Sequence, residues 1–185
     1  MLIHFDNVPF YSQFQDIPSV EWRSAGCGIA SLAMEMEFFK PKNKVSVTKL
    51  LLQALDFGAY TADVGWKHKE LAALAELYGL TGKNYDLIAL NNQTAFDQFK
   101  DFLIGGPIIV SIHNKFNPKA ALGHLVVVTG IEDGMIFYHD PAYGNKTERK
   151  ISEKDLLRGW KKRFIVVREK TRVTAQVEEK TKTAL

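Results

Sequence analysis

After Gly28, apolar side chains recur at Ile29, Leu32, Ala33, Met36 and Phe39. That is the spacing of one helical face, and Pro41 ends the pattern. The stretch "SVTKLLLQALDFG" predicts a second helix, capped by Ser46 and stopped near Gly58. Leu71, Leu74, Ala75 and Tyr78 mark a third that ends at Gly79, and a fourth is predicted from about Gln93 to Leu103, with Gly105-Gly106 as the turn after it. From there the texture changes. "PIIVSIH", "HLVVVTGI", "MIFYHD" and "RFIVVRE" are β-branched or aromatic runs divided by turn residues, which predicts strands, with "SEKDLLRGW" as a short helix before the last. Residues 1–25 carry aromatics interrupted by Pro9 and Pro18; they read as ordered but irregular, with a short strand near Val8. Helices followed by an antiparallel sheet make an α+β fold, not alternating βαβ units.

The chain has 185 residues, 46% of them hydrophobic, enough to bury one sizeable core. One domain is expected over residues 1–169. From Lys170 onward "KTRVTAQVEEKTKTAL" has no aromatic residue and little apolar content, so 170–185 reads as a disordered charged tail. The tail's four basic and two acidic residues supply +2 of the net charge of +3. The remaining +1 gives no basic face for nucleic acid. No apolar run approaches the roughly 18 residues of a membrane helix, and "MLIHFDNVPF" lacks a signal peptide's basic start and long apolar middle. The expectation is a soluble, cytoplasmic protein. A single cysteine excludes a disulfide framework and a cysteine-rich zinc site. Nothing in the sequence reports the oligomeric state.

That cysteine, Cys27, lies between two glycines where the first helix begins. A thiol attacks a carbonyl only as thiolate, a form favoured by the positive end of a helix and by a nearby imidazolium. The free N–H groups of a first helical turn can also receive a developing oxyanion. The alternative is a small, easily buried residue in a helix contact. Of five histidines, His124 stands out because it opens an apolar strand run where a polar ring has no packing role. "IEDGM" predicts a hairpin. With Glu132-Asp133-Gly134 as its loop, Ile131 pairs with Met135 and Asp140 faces Val126, on the same sheet face as His124 and able to accept its Nδ1–H. With Asp133-Gly134 alone, parity reverses, His139 becomes the rival and Asp140 reads as the start of an Asp-Pro turn.

The segments "VPFYSQ" and "GCGIASLAM" at the front, and "GHLVVVTGIEDGMIFYHDP" at the back, resemble the papain-like cysteine peptidases related to the bacteriocin-leader-processing, or double-glycine, peptidases. The likeness touches both ends of residues 8–141, while the helices between are similar only in character. It implies a papain-like fold with Cys27 as nucleophile, His124 as general base and Asp140 orienting the ring. It also implies a glutamine donor to the oxyanion: Gln13 ends "VPFYSQ", and Gln15 is close enough to compete for the role. Leader-processing members usually front a membrane exporter, and this chain has neither membrane helices nor a GxxxxGK[ST] motif.

The expected function is hydrolysis of peptide bonds through a thioester, with a peptide or protein as partner and no metal or organic cofactor. Two alternatives use the same scaffold: an acyltransferase or transglutaminase-like enzyme that passes the thioester to an amine, and a peptide-binding module without chemistry.

Overall fold

A computed structural model of the protein describes residues 2–170. The expected tail, beyond Lys170 itself, lies outside the described residues. Among the described residues, five α-helices are seen: α1 (Cys27–Phe39), α2 (Val47–Asp56), α3 (His68–Leu74), α4 (Asn92–Leu103) and α5 (Glu153–Gly159). Capping explains three of the starts. The Ser46 hydroxyl accepts from the Lys49 N–H, the Asn91 side chain from the Thr94 N–H, and the Ser152 hydroxyl from the Asp155 N–H, each meeting one otherwise orphaned donor. Helix α3 tightens into a 3-10 turn over Ala75–Tyr78 and stops at Gly79, whose φ of 70° only glycine adopts readily.

Seven strands form one antiparallel sheet: β1 (Ile3–His4), β4 (Leu80–Asp86), β5 (Ile108–His113), β6 (Gly123–Glu132), β7 (Met135–His139), β8 (Arg149–Ser152) and β9 (Trp160–Glu169). Their order is β4-β9-β5-β6-β7-β8, with β1 added against β6. A separate two-strand hairpin joins β2 (Tyr60–Thr61) to β3 (Gly65–Trp66).

Each sheet face carries its own core. Ile109, Leu125, Val127, Ile165 and Val167 meet the buried side chains of α1, α2 and α3. Val110, Val126, Val128 and Phe164 meet Phe96 and Phe99 of α4 and Leu156 of α5. Helix α1 lies between the sheet and the other helices, and every residue from Gly28 to Glu37 is buried. A helix so enclosed is apolar around most of its circumference, and its buried polar residues, Ser31, Glu35 and Glu37, each make a hydrogen bond.

Besides the β2–β3 hairpin, which the sequence analysis does not predict, the structure departs from the sequence reading in three places. No strand forms at Val8, which is buried in irregular chain; the N-terminal strand is β1. Strands β4 and β8 were not anticipated, and both are sheet edges. An edge strand faces water on one side, so "LTGKNYD" and "RKIS" lack the β-branched signature of a central strand. The hairpin loop is Asp133-Gly134, not three residues: Glu132 pairs with Met135, and the two loop residues have φ of 48° and 73°, a type I′ turn. The expected face for Asp140 survives because a second irregularity corrects the parity. Val128 pairs with Tyr138 but Gly130 pairs with Phe137, so Thr129 is an extra residue in β6 and Val127 comes opposite His139.

Candidate active site

The site begins at the first residue of α1. A Cβ on Gly26 would stand 2.2 Å from Ile17 Cδ1 and 3.1 Å from Gln13 Cβ, so a glycine here lets the irregular front segment close against the helix start. A Cβ on Gly28 would meet the Trp66 ring at 2.6 Å. Trp66 lies over that glycine and its Nε1 donates to the Ala25 carbonyl at 2.5 Å. Cys27, between them, is half-buried. Its backbone N–H is among the first-turn donors of α1 that have no intrahelical acceptor.

His124 is the second residue of β6. Its Nε2 stands 2.7 Å from Asp140 Oδ1, and both side chains are largely buried. The bond therefore uses Nε2 and not the expected Nδ1, which leaves Nδ1 for the side of the ring that meets Cys27. Burial pushes His124 down, but the hydrogen bond to Asp140, followed by the hydrogen bond and charge interaction with Cys27, outweighs it and lifts the imidazole to about 10. The ring lies between a carboxylate and a sulfur, both of which favour its protonated form.

Asp140 does two things that the sequence reading treated as alternatives. While Oδ1 meets His124, it also accepts the Ala142 N–H at 2.9 Å, and the Asp140 carbonyl accepts the Tyr143 N–H at 3.2 Å. The Asp-Pro turn thus fixes the carboxylate that fixes the ring. The rival His139 points elsewhere: it is buried edge-on to Phe10, with ring centroids 5.6 Å apart, and burial lowers its pKa.

Gln13 is buried against the start of α1, whereas Gln15 is exposed and its amide borders Gly144. The Gln13 backbone N–H donates to the Pro141 carbonyl at 2.8 Å. Its Nε2 donates to the Arg23 carbonyl at 2.8 Å and reaches the Ser24 carbonyl only at 3.4 Å, while Oε1 is buried without a partner among the described residues. One of the two amide hydrogens is thus firmly engaged and the other weakly.

Sequence reading missed the aromatic wall beside the thiol. Trp22 and Tyr60 meet edge-on at 5.0 Å, Tyr60 and Trp66 at 5.1 Å, and Trp22 and Trp66 are tilted at 6.5 Å. The signal was available at Gly28, since a glycine inside a helix commonly marks the close approach of something large. Among the described residues, no cluster of His, Cys, Asp and Glu is arranged to hold a metal ion, and no helix is long and apolar enough to cross a membrane.

A sequence profile of the Peptidase_C39 like family matches residues 5–165. No curated protein matches the chain. Among solved structures, one described as a C39-like peptidase from Bacillus anthracis superposes with a TM-score of 0.65 at 18% identity, covering 92% of this chain and 98% of that one. A double glycine motif protease from an AMS/PCAT transporter, in complex with its leader peptide, gives 0.59 at 19% identity, covering 91% and 98%. The peptidase domain of Streptococcus ComA, a bi-functional ABC transporter, gives 0.59 at 18% identity, covering 83% and 97%. The fold is that of the papain-like C39 peptidases.

Proposed function

The chain belongs to the Peptidase_C39 like family, and from that premise we propose that it is a cysteine peptidase in which Cys27, His124, Asp140 and Gln13 carry the chemistry. The observation that carries this reading is the 2.7 Å bond from His124 Nε2 to Asp140, on a ring whose other partner is the Cys27 side chain.

In the proposed reaction the Cys27 sulfur attacks the scissile carbonyl carbon, and the carbonyl electrons move onto oxygen. The Cys27 N–H and the weakly engaged hydrogen of the Gln13 amide receive that oxyanion. His124, already protonated, gives its proton to the leaving amine as the C–N bond breaks, leaving a thioester on Cys27. A water then yields a proton to His124 and its oxygen attacks the thioester, releasing a carboxylic acid and restoring the thiolate–imidazolium pair. Asp140 keeps the ring oriented and stabilises its charge throughout. The substrate is a peptide or protein, in keeping with the leader peptide held by one structural neighbour.

The test is cleavage of a diverse peptide mixture read by mass spectrometry. The wild-type protein cuts some of its members, and Cys27→Ala, with an unchanged circular dichroism spectrum, cuts none. Equal cleavage by the two proteins would eliminate the mechanism.

A further inference from the structure

Strand β9 contains an irregularity that the reaction just described does not use. Against β5 it pairs Trp160 with Ile112 and then Arg163 with Ser111, so Lys161 and Lys162 are extra residues in the ladder. Lys162 takes a φ of 54°, a left-handed conformation that strains a non-glycine residue. Bulges of this kind re-aim a side chain. Here the redirected side chain is that of Lys161, whose amine lies over Gly123, 2.9 Å from where a Cβ would be. Gly123 immediately precedes His124, and the missing side chain is the space the amine occupies.

Two further observations place and characterise that amine. Lys161 and Arg163 act electrostatically on His68, the first residue of α3, which follows Trp66 by two positions. Lys161 is therefore within electrostatic range of the start of α3 while its amine lies against the residue before His124. Its neighbours in the sequence are committed: Lys162 Nζ donates to the Leu90 carbonyl at 2.7 Å, and Arg163 pairs with Asp86 at 2.8 Å. The Lys161 amine is half-buried and has no hydrogen bond or ion pair among the described residues.

We infer that Lys161 is a specificity-determining residue that receives a carboxylate of the peptide substrate beside the scissile bond. The inference rests on the peptidase reading and narrows its substrate class. A half-buried ammonium with no internal partner, at the end of a strained bulge and next to the histidine, is an anion site that the protein itself leaves open. The carboxylate is either an Asp or Glu side chain or the free C-terminus of a short peptide.

The experiment measures kcat/KM for cleaved peptides in pairs, Glu against Gln at each of the two positions flanking the cut, and free acid against amide at the C-terminus. The wild-type protein is expected to prefer the carboxylate about two- to fivefold, the scale of one partly exposed ion pair. In Lys161→Gln the preference disappears, and in Lys161→Glu it inverts towards peptides with Lys at that position. The Glu/Gln pairs reporting the preference identify a side chain, and the acid/amide pairs a terminus. A loss of folding lowers all rates without changing these ratios. Cleavage with no preference in any pair, or one unaltered in both variants, overturns the inference and leaves the peptidase reading standing. If no peptide is cut, that reading fails instead, and binding of the same pairs to the wild-type protein, with Lys161→Glu for comparison, decides the carboxylate site separately: preferential binding of the carboxylate member supports it and equal binding refutes it.

Discussion

The backbone N–H of Gln13 donates to the carbonyl of Pro141 at 2.8 Å, joining the front segment of the chain to the turn that holds Asp140. The glutamine that rests on the start of α1 and the carboxylate that holds His124 are therefore one assembly, although 127 positions separate them in the sequence. The same turn accepts at Asp140 Oδ1 from both His124 and the Ala142 N–H. Displacing one member displaces the others, so the four residues should respond to substitution as a unit.

Asp140→Asn tests the electrostatic part. His124 is raised from 6.5 to about 10, chiefly against burial by its bond to Asp140. A raised base stabilises the fold below its unfolded pKa, and that contribution is lost as pH rises through about 10. Activity that depends on the imidazolium should fall along the same alkaline limb. In Asp140→Asn the limb should move to lower pH, read from kcat against pH. An unmoved limb means that the carboxylate does not hold the proton.

Gln13→Ala should lower kcat by about 10²–10³ with little change in KM, as loss of one oxyanion donor does. Gln15→Ala, at an exposed position, should leave both constants near the wild-type values. A matching loss in the two variants would reassign the donor.

Gly28→Ala would push a methyl group to 2.6 Å from the Trp66 ring. Overpacking of this kind costs about 1–3 kcal/mol, which lowers the melting temperature by roughly 2–12 °C for a chain of this size. In a Trp66→Ala background, which empties the space that the new methyl enters, the further cost of Gly28→Ala should be much smaller. An unchanged cost would place the strain elsewhere.

Glu35 predicts a second pH dependence of opposite origin. It is fully buried on α1, one oxygen accepts the Val167 N–H at 3.1 Å, and the other has no partner among the described residues. Burial raises its pKa well above 4.5, against the opposing pull of Arg168. A carboxyl raised in the folded state binds its proton more tightly there than in the unfolded chain. Its contribution is therefore complete below 4.5 and declines as pH rises towards the folded-state value. Urea unfolding from pH 5 upward should show wild-type stability falling relative to Glu35→Gln, and parallel curves would refute the assignment.

What the sequence made legible follows from what is buried. Helix α1, the central strands β5, β6 and β9, and the Ser46 cap are written in apolar period and turn chemistry, and the structure places them there. Edge strands β4 and β8 carry polar residues because half of each faces water, so their composition does not distinguish them from loops. The face of Asp140 was reached by counting a three-residue loop. The protein reaches it by a two-residue turn and an extra residue at Thr129, a bulge beside which β1 docks so closely that a Cβ on Gly130 would lie 2.5 Å from the Ile3 carbonyl. Trp22, Tyr60 and Trp66 meet only after folding, and Gly28 is the one position in the chain that points to a bulky neighbour there.

The pairing of Cys27 with His124 is the claim on which the proposed chemistry depends, and alkylation of the single cysteine measures it directly. An imidazolium beside the sulfur favours thiolate, so at pH 6 iodoacetamide should modify the wild-type protein at least about tenfold faster than His124→Ala. Equal rates in the two proteins would contradict the pairing and, with it, the proposed peptidase.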